Sequence, residues 1–438
     1  MVNRQKLLSY LDSRGCGSAF LSALQSSYEM TKGQVGSSHF TALSGIRQGL
    51  CTSCPLFVLF IEPTIDAISS VGHDDWLGDI HSLLLMDDTV VLATSREMMT
   101  AKLAALKRCT DNIGMIINPS KSQYIAVLPD NTQPFLIENI SISHTPVYVY
   151  LGTPISPATV SDQVKLHIKS KTSHILKFQS FLVKNRDAPY TVKKSVWNSA
   201  LKTALFYSCE TWLANDLRVA EKAFNTTLKN LLGVRATSCN DIVYAESGYF
   251  GAKEYIYNVQ KSFFKKLMDR DQYPGSYLET VINMAQAVKC PAGIVMRRLI
   301  SGDLTGVNRR DAVIQAIRTS TGTRRMAYGD INPSLSVHPL YDSYDVPEYD
   351  RIAFTRLRLG SHHLQYEMGR WSRTPQESRM CPCGIVQSDK HVLLDCELTR
   401  QARQDLFIPG DINIEQFYNY TDFRTLAKFC NLVISTYH

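Results

Sequence analysis

Twelve residues, Ser82-Leu-Leu-Leu-Met-Asp87-Asp88-Thr-Val-Val-Leu-Ala93, constrain this chain more than any other stretch. Two apolar runs of β-compatible residues flank two adjacent carboxylates, a pattern that predicts strand, tight turn, strand. Neighbouring side chains on a strand point to opposite faces. One aspartate, taken here as Asp87, is therefore expected to be the main ligand of any bound cation, with Asp88 an auxiliary. Aspartate also suits turns for its own sake, so an acidic hairpin tip with nothing bound accounts for the same letters. A hard cation is the other reading, because Mg²⁺ takes one or two carboxylates, keeps several waters and completes its shell with substrate phosphates. What separates the two is whether other parts of a phosphoryl-transfer site surround the hairpin.

The chain has 438 residues, 44% of them hydrophobic, enough for a sizeable core in two or three domains. No uncharged apolar run approaches the roughly 20 residues of a membrane span; the longest, Leu56 to Ile61, stops at Glu62-Pro63. The opening Met-Val-Asn-Arg-Gln-Lys does not lead into a signal-peptide pattern. Eleven cysteines without a framework of regular spacings imply a reducing compartment, so the protein is expected inside the cell, in nucleus or cytoplasm, and not secreted.

Stripes at Leu7, Leu8, Leu11 and at Phe20, Leu21, Leu24 predict helices over residues 1–28. A glycine-rich turn follows, Gly45-Ile-Arg47-Gln48-Gly49, where glycine permits close backbone approach and Arg47 and Gln48 offer donors. It opens into the apolar run from Leu56, read as a buried helix. Thr94-Ser-Arg-Glu97 matches a capping box for the next helix, and Gly114 is placed to end it. Gly114 to Asn118 reads as a strand, followed by a turn and Lys121, expected near the carboxylates. A second hairpin is expected over Asn139 to Tyr150, with Ile140 and Ile142 against Val147 and Val149.

Residues 165–194 change character, with eight bases (Lys165, Lys169, Lys171 and Lys177 among them) against one acid, Asp187. That stretch carries all of the chain's net charge of +7. It is either a solvated helical face or a surface for nucleic-acid phosphates. From 196 to about 300 the pattern is helical, with Trp197, Leu201, Leu205, Trp212, Leu228, Leu231 and Leu232 as core candidates. Residues 301–349 are polar and turn-rich and read as a linker or a loosely packed subdomain. Near the end come Cys381-Pro-Cys383-Gly384, His391 and Cys396, a set that can close a tetrahedral Zn²⁺ site or stand as buried thiols beside a hydrogen-bonded histidine. Arg370, Trp371, Arg373 and Arg379 precede it, a basic-aromatic mixture suited to single-stranded nucleic acid.

With these residues in view, the chain resembles the reverse transcriptases of non-LTR (LINE-like) retrotransposons. The Asp87-Asp88 hairpin resembles the family's catalytic palm hairpin, and Gly45 to Gly49 its template- and nucleotide-contacting loop. Gly114 to Asn118 with Lys121 resembles the motif that follows, and Tyr150-Leu-Gly152 the primer grip; all four stand in the family's order within residues 1–155. Ser208 to Trp212 and Leu231 to Arg235 resemble weaker thumb and connector patterns, and Phe354 to Cys396 the C-terminal cysteine-histidine segment. The resemblance implies an α+β fold: a partial right-hand polymerase palm, an antiparallel sheet with helices, over 1–155 and an α-helical thumb or connector over 156–300. The 301–349 linker and a small zinc-knuckle-like domain over 350–438 complete it. It also implies RNA-directed DNA polymerisation with two Mg²⁺ ions, an RNA template, a DNA primer or target and dNTPs, with Lys121 assisting the leaving group.

Departures accompany the likeness. The family's first motif carries an aspartate just before the stretch that corresponds to Val2-Asn3-Arg4, so this chain is expected to be N-terminally truncated and catalytically incomplete. Leu85 stands where an aromatic residue is usual, Met86 where alanine is commonest and Cys51 where proline is. A non-catalytic nucleic-acid-binding relic is the alternative, and a purely structural protein a third.

Overall fold

The Asn3 side chain starts the first helix by accepting from the Lys6 amide, one of the donors that every helix start leaves unpaired. Helix α1 (Arg4–Ser13) buries Leu7 and Leu11, and α2 (Ser18–Glu29) follows, both where the stripes predict helix. The structure is a computed structural model. It describes residues 2–437 except 30, 43, 48, 74–76, 79, 128–130, 158, 271–278, 281, 282, 285, 286, 288–290, 303–308 and 322. The chain divides into one unit of Met1–Val149 with Ile155–Pro157 and a second of Tyr150–Pro154 with Ala158–His438.

In the first unit, β1 (Lys32–Val35) and β2 (Ser38–Thr41) form an antiparallel hairpin that the sequence reading did not anticipate. Helix α3 (Ser53–Ile61) buries Leu56, Phe60 and Ile61 but exposes Val58 and Leu59, so the run read as a buried helix is buried on one face only. Pro63 begins α4 (Pro63–Ser69), where its missing N–H costs least. Strands β3 (Ser82–Leu85) and β4 (Asp88–Val91) pair antiparallel, and Leu84 packs on the core of Val2, Leu7, Leu11, Leu56, Phe60 and Ile61. Ser95, not Thr94, caps α5 (Arg96–Ile113), its hydroxyl accepting from the Met98 amide at 3.1 Å. The helix ends at Gly114, whose φ of +76° suits glycine.

Two expectations after Gly114 need correction. Residues 115–118 form no strand, and Ile116 is exposed. Ile140 and Ile142 do not face Val147 and Val149. Strand β7 (Ile140–His144) pairs antiparallel with β6 (Phe135–Ile137) and parallel with β5 (Gln123–Tyr124). Phe135 and Ile137 reach it through a two-residue turn at Glu138 and Asn139, and all four side chains are buried with Leu103. Alternation specifies which face of a strand is buried, not which strand lies beside it. Strands β8 (Tyr148–Tyr150) and β9 (Thr153–Ile155) stand where the division between units falls.

The second unit is helical. Helices α6 (Val160–Ser170) and α7 (Thr172–Lys184) precede α8 (Tyr190–Val196), which runs on through a π turn, Trp197–Lys202. All seven core candidates from Trp197 to Leu232 are buried in one cluster extending from Val164 to Val433. Val313, Ile317, Tyr328, Leu340 and Tyr341 belong to the same cluster, which corrects the reading of 301–349 as linker or loose subdomain. The polar letters misled because the polar groups pair inside. Buried Glu246 accepts from Arg358, Tyr328 and Tyr341, and Arg351 holds Glu348 through two nitrogens at 2.8 and 2.9 Å. Among the described residues no helix is long and apolar enough to cross a membrane.

Candidate functional site

The acidic hairpin turns at Met86 and Asp87, with Leu85 directly opposite Asp88. Met86 takes a φ of +56°, a left-handed conformation uncommon without glycine. Asp87 thus lies in the turn itself and Asp88 begins β4. Cross-strand partners share a face, so Asp88 stands with Leu83 and Leu85 on the side away from Leu84's core contacts. That side is open: Leu83 is 49% and Leu85 51% exposed. Both carboxylates are exposed, and neither takes a hydrogen bond or ion pair from the described residues. Their oxygens are thus available to a hard cation such as Mg²⁺, which accepts one or two carboxylates. No third His, Cys, Asp or Glu joins them in a metal-sized group among the described residues.

The glycine-rich loop is tied down from its own unit. The Gly45 amide donates to the Val2 carbonyl at 2.8 Å, and the Gly45 carbonyl accepts from Arg4 Nε at 3.0 Å. Arg47 donates to the Ser27 carbonyl at 2.6 Å and to Thr31 Oγ1 at 3.2 Å, so its guanidinium braces the loop against the end of α2. Gly49 has a φ of +87° with open space where a Cβ would stand, so the backbone conformation and not crowding favours glycine there. Gln48 lies outside the described residues. Lys121 sits in an exposed turn whose carbonyl accepts from Tyr148 Oη at 3.4 Å, and its ammonium forms no ion pair with Asp87 or Asp88.

In the second unit the basic stretch divides into two populations. Lys169 and Lys177 are exposed, Lys165 pairs with Asp162 at 2.8 Å, and the Lys171 ammonium lies 5.9 Å over the Tyr207 ring. Lys193 is buried instead and bridges to Glu348 at 3.0 Å, so it serves the core and leaves the charged face one base poorer.

Cys381, Cys383, His391 and Cys396 converge, with all four ligand atoms within 4.8 Å of one another. Cys381 Sγ lies 3.6 Å from Cys396 Sγ, Cys396 Sγ 3.7 Å from Cys383 Sγ, and Cys383 Sγ 3.1 Å from His391 Nε2. Thiolates about 2.3 Å from a tetrahedral Zn²⁺ stand roughly 3.8 Å apart, so the sulfur spacing fits zinc. The tight Cys-x-Cys opening works because Gly384, at φ +90°, returns its amide to the Cys381 carbonyl at 2.8 Å. His391 starts a π turn, His391–Asp395, and burial lowers its pKa, which favours the neutral ring that a metal needs.

Sequence reasoning missed two contributors. Tyr437 Oη donates to Cys396 Sγ at 2.8 Å and lies 3.7 Å from Cys381 Sγ, and burial first, then these two contacts, raise its pKa. Arg403 Nη2 fixes the Cys396 carbonyl at 2.8 Å. Partners outside the ligand set commonly orient metal-binding side chains. Tyr437 is 41 residues from Cys396, and no local pattern marks it.

No curated protein matches the chain. Residues 1–178 match the family model described as reverse transcriptase (RNA-dependent DNA polymerase), so this stretch, the acidic hairpin included, is similar to a reverse-transcriptase domain with its palm-like polymerase fold.

Proposed function

We propose that the chain is the palm and downstream portion of an RNA-directed DNA polymerase of the non-LTR (LINE-like) retrotransposon type. The observation that carries this reading is the antiparallel hairpin presenting two open, adjacent carboxylates, Asp87 and Asp88, inside the segment that matches reverse transcriptases. The order of the Gly45–Gly49 loop, the hairpin and Lys121 supports it.

In nucleotidyl transfer a primer 3′ hydroxyl attacks the α-phosphorus of a dNTP. The bond to the β-phosphate breaks, pyrophosphate leaves, and the hydroxyl proton must be removed. Two Mg²⁺ ions, when bound, stabilise the attacking and leaving oxygens. On this chain Asp87 would hold metal with Asp88 beside it, the Gly45–Gly49 loop would line the template and nucleotide, and Lys121 would offer charge or a proton to the leaving group. Asp87 and Asp88 adjoin on one hairpin, so holding two ions would call on a further carboxylate from elsewhere. The two hairpin carboxylates by themselves are therefore proposed not to suffice for catalysis.

Primer extension tests the reading. The polypeptide alone should extend an RNA-templated DNA primer no better than background. A version extended upstream with a fingers region and first-motif aspartate should gain activity and lose it on Asp87→Asn. An extended version that stays inert would overturn the polymerase reading, and primer extension by the 438 residues alone would show that another of their carboxylates joins Asp87 and Asp88.

The second reading is a nucleic-acid-binding relic, favoured by the exposed Lys169 and Lys177 and by a Cys/His cluster that needs nothing from the acidic hairpin. RNA binding by a chain that never polymerises, even when extended, would favour it.

A further inference from the structure

In the second unit, a cavity of about 120 Å³ lies among residues that include Arg235, Arg324, Arg370, Ser361, Glu367 and Trp371. At about 30 Å³ per water, it holds roughly four waters or one phosphoryl-sized group. The acids here are already engaged: Glu367 accepts from Arg370 at 3.0 and 3.1 Å and from Arg324 at 3.4 Å, and Arg324 also pairs with Asp389 at 3.1 Å, which leaves Arg235 as the base without an acid. Arg235 has no carboxylate partner among the described residues. Its Nη2 lies 3.0 Å from His363 Nδ1, and its backbone amide donates to Ser361 Oγ at 2.8 Å. Arg235 Nη1 and Arg324 Nε are both buried without a hydrogen-bond partner among the described residues, and both residues line this cavity. Buried guanidinium donors without an acceptor are costly, and a phosphate oxygen would satisfy them.

The cavity's neighbour supplies the second half of the argument. Trp371, at the end of the Gln365–Ser372 helix, carries the Arg235 guanidinium 3.9 Å from its ring centroid. Arginine therefore covers one indole face. Trp371 remains 47% exposed, unusual for so large an apolar ring next to an anion-seeking cavity. Cation stacking beneath leaves an aromatic surface above for a flat partner.

We propose that Arg235, Arg370 and Trp371 form a subsite for one nucleotide of single-stranded nucleic acid, the phosphate entering the cavity and the base stacking on the open indole face. The proposal rests on the reading of the chain as a handler of nucleic acid, and it is independent of whether the acidic hairpin catalyses.

The full chain is titrated into a short fluorescein-labelled single-stranded RNA, followed by anisotropy. Trp371→Ala should weaken binding roughly 5- to 150-fold, the range for losing one stacked base, and Trp371→Phe should restore most of it. Against the same strand lacking bases, Trp371→Ala should change little. Arg370→Gln should flatten the dependence of log affinity on log salt by about 0.7, the value for one single-strand phosphate contact. It also keeps the test alive should Trp371→Ala disturb folding by circular dichroism. A DNA strand of equal sequence separates the sources: an equal Trp371 effect supports a subsite for either strand, and a smaller one supports RNA. Unchanged RNA binding by both variants, or an equal Trp371→Ala loss on the base-free strand, would overturn the subsite alone. No RNA binding by the unmodified chain would overturn the nucleic-acid reading with it.

Discussion

Glu246→Gln tests the ionic network that organises the second unit. Glu246 is fully buried and accepts from Arg358 Nε at 2.8 Å, Arg358 Nη2 at 3.0 Å, Tyr328 Oη at 2.7 Å and Tyr341 Oη at 2.7 Å. Burial alone would raise its pKa, but Arg358 and then the two tyrosines hold it below the usual carboxylate value. Breaking a buried pair by neutralising one member costs about 3–5 kcal/mol, because the other charge remains inside unpaired. Arg358 already has one buried nitrogen without a partner among the described residues, so none of them offers a spare acceptor. The glutamine oxygen still accepts from a tyrosine, so the hydroxyls add little to that figure. At 2–4 °C per kcal/mol, the midpoint of thermal unfolding should fall by roughly 6–20 °C. Glu246→Leu with Arg358→Met should recover part of the loss, since apolar replacement of a whole buried pair is often close to neutral. Scanning calorimetry of the wild type, Glu246→Leu, Arg358→Met and the double variant gives the coupling. A single-variant loss below about 1 kcal/mol, or a double variant no more stable than either single, would refute the network as a coupled unit.

Two further outcomes follow from the second unit. Purified protein should carry one zinc per chain, Cys383→Ser should abolish it and expose residues 380–400 to protease, and Tyr437→Phe should weaken zinc binding about 10- to 100-fold. Elemental analysis without stoichiometric zinc would refute the metal centre. His167 and His338 are pushed down to about 4, in each case chiefly by burial and next by a nearby cation, Lys171 or Arg358. Both stay neutral in the folded state while the unfolded chain takes up protons below about 6.5. Their contribution is therefore complete above that pH and is lost towards 4, at up to about 1.4 kcal/mol per pH unit for each. A denaturation midpoint that does not move between pH 7 and 5 would contradict this.

Local features of the chain were legible in its letters. The β3–β4 hairpin, the stop at Gly114, the buried Trp197 and Leu228, and the Cys381–Cys396 spacing each depend on neighbours along the backbone. A turn residue, a period or a short ligand gap acts within a few bonds, so the sequence determines it directly. Choice of distant partner is another matter. Val147 and Phe135 are both plausible neighbours for Ile142, and only the assembled sheet selected Phe135. Lys193 belonged to a stretch read as a charged face until the fold set Glu348 beside it, and nothing in the letters paired Arg351 with Glu348 or Arg358 with Glu246. The same holds for the sites. The carboxylates and thiolates could be named from sequence, but Arg47's role as a brace and Tyr437's bond to Cys396 could not. Nor could Arg235's place beneath Trp371, 136 residues away in the chain. Such contacts are won by closing long loops against conformational entropy, and what offsets that cost is the packing of the whole core, which no short stretch of sequence contains.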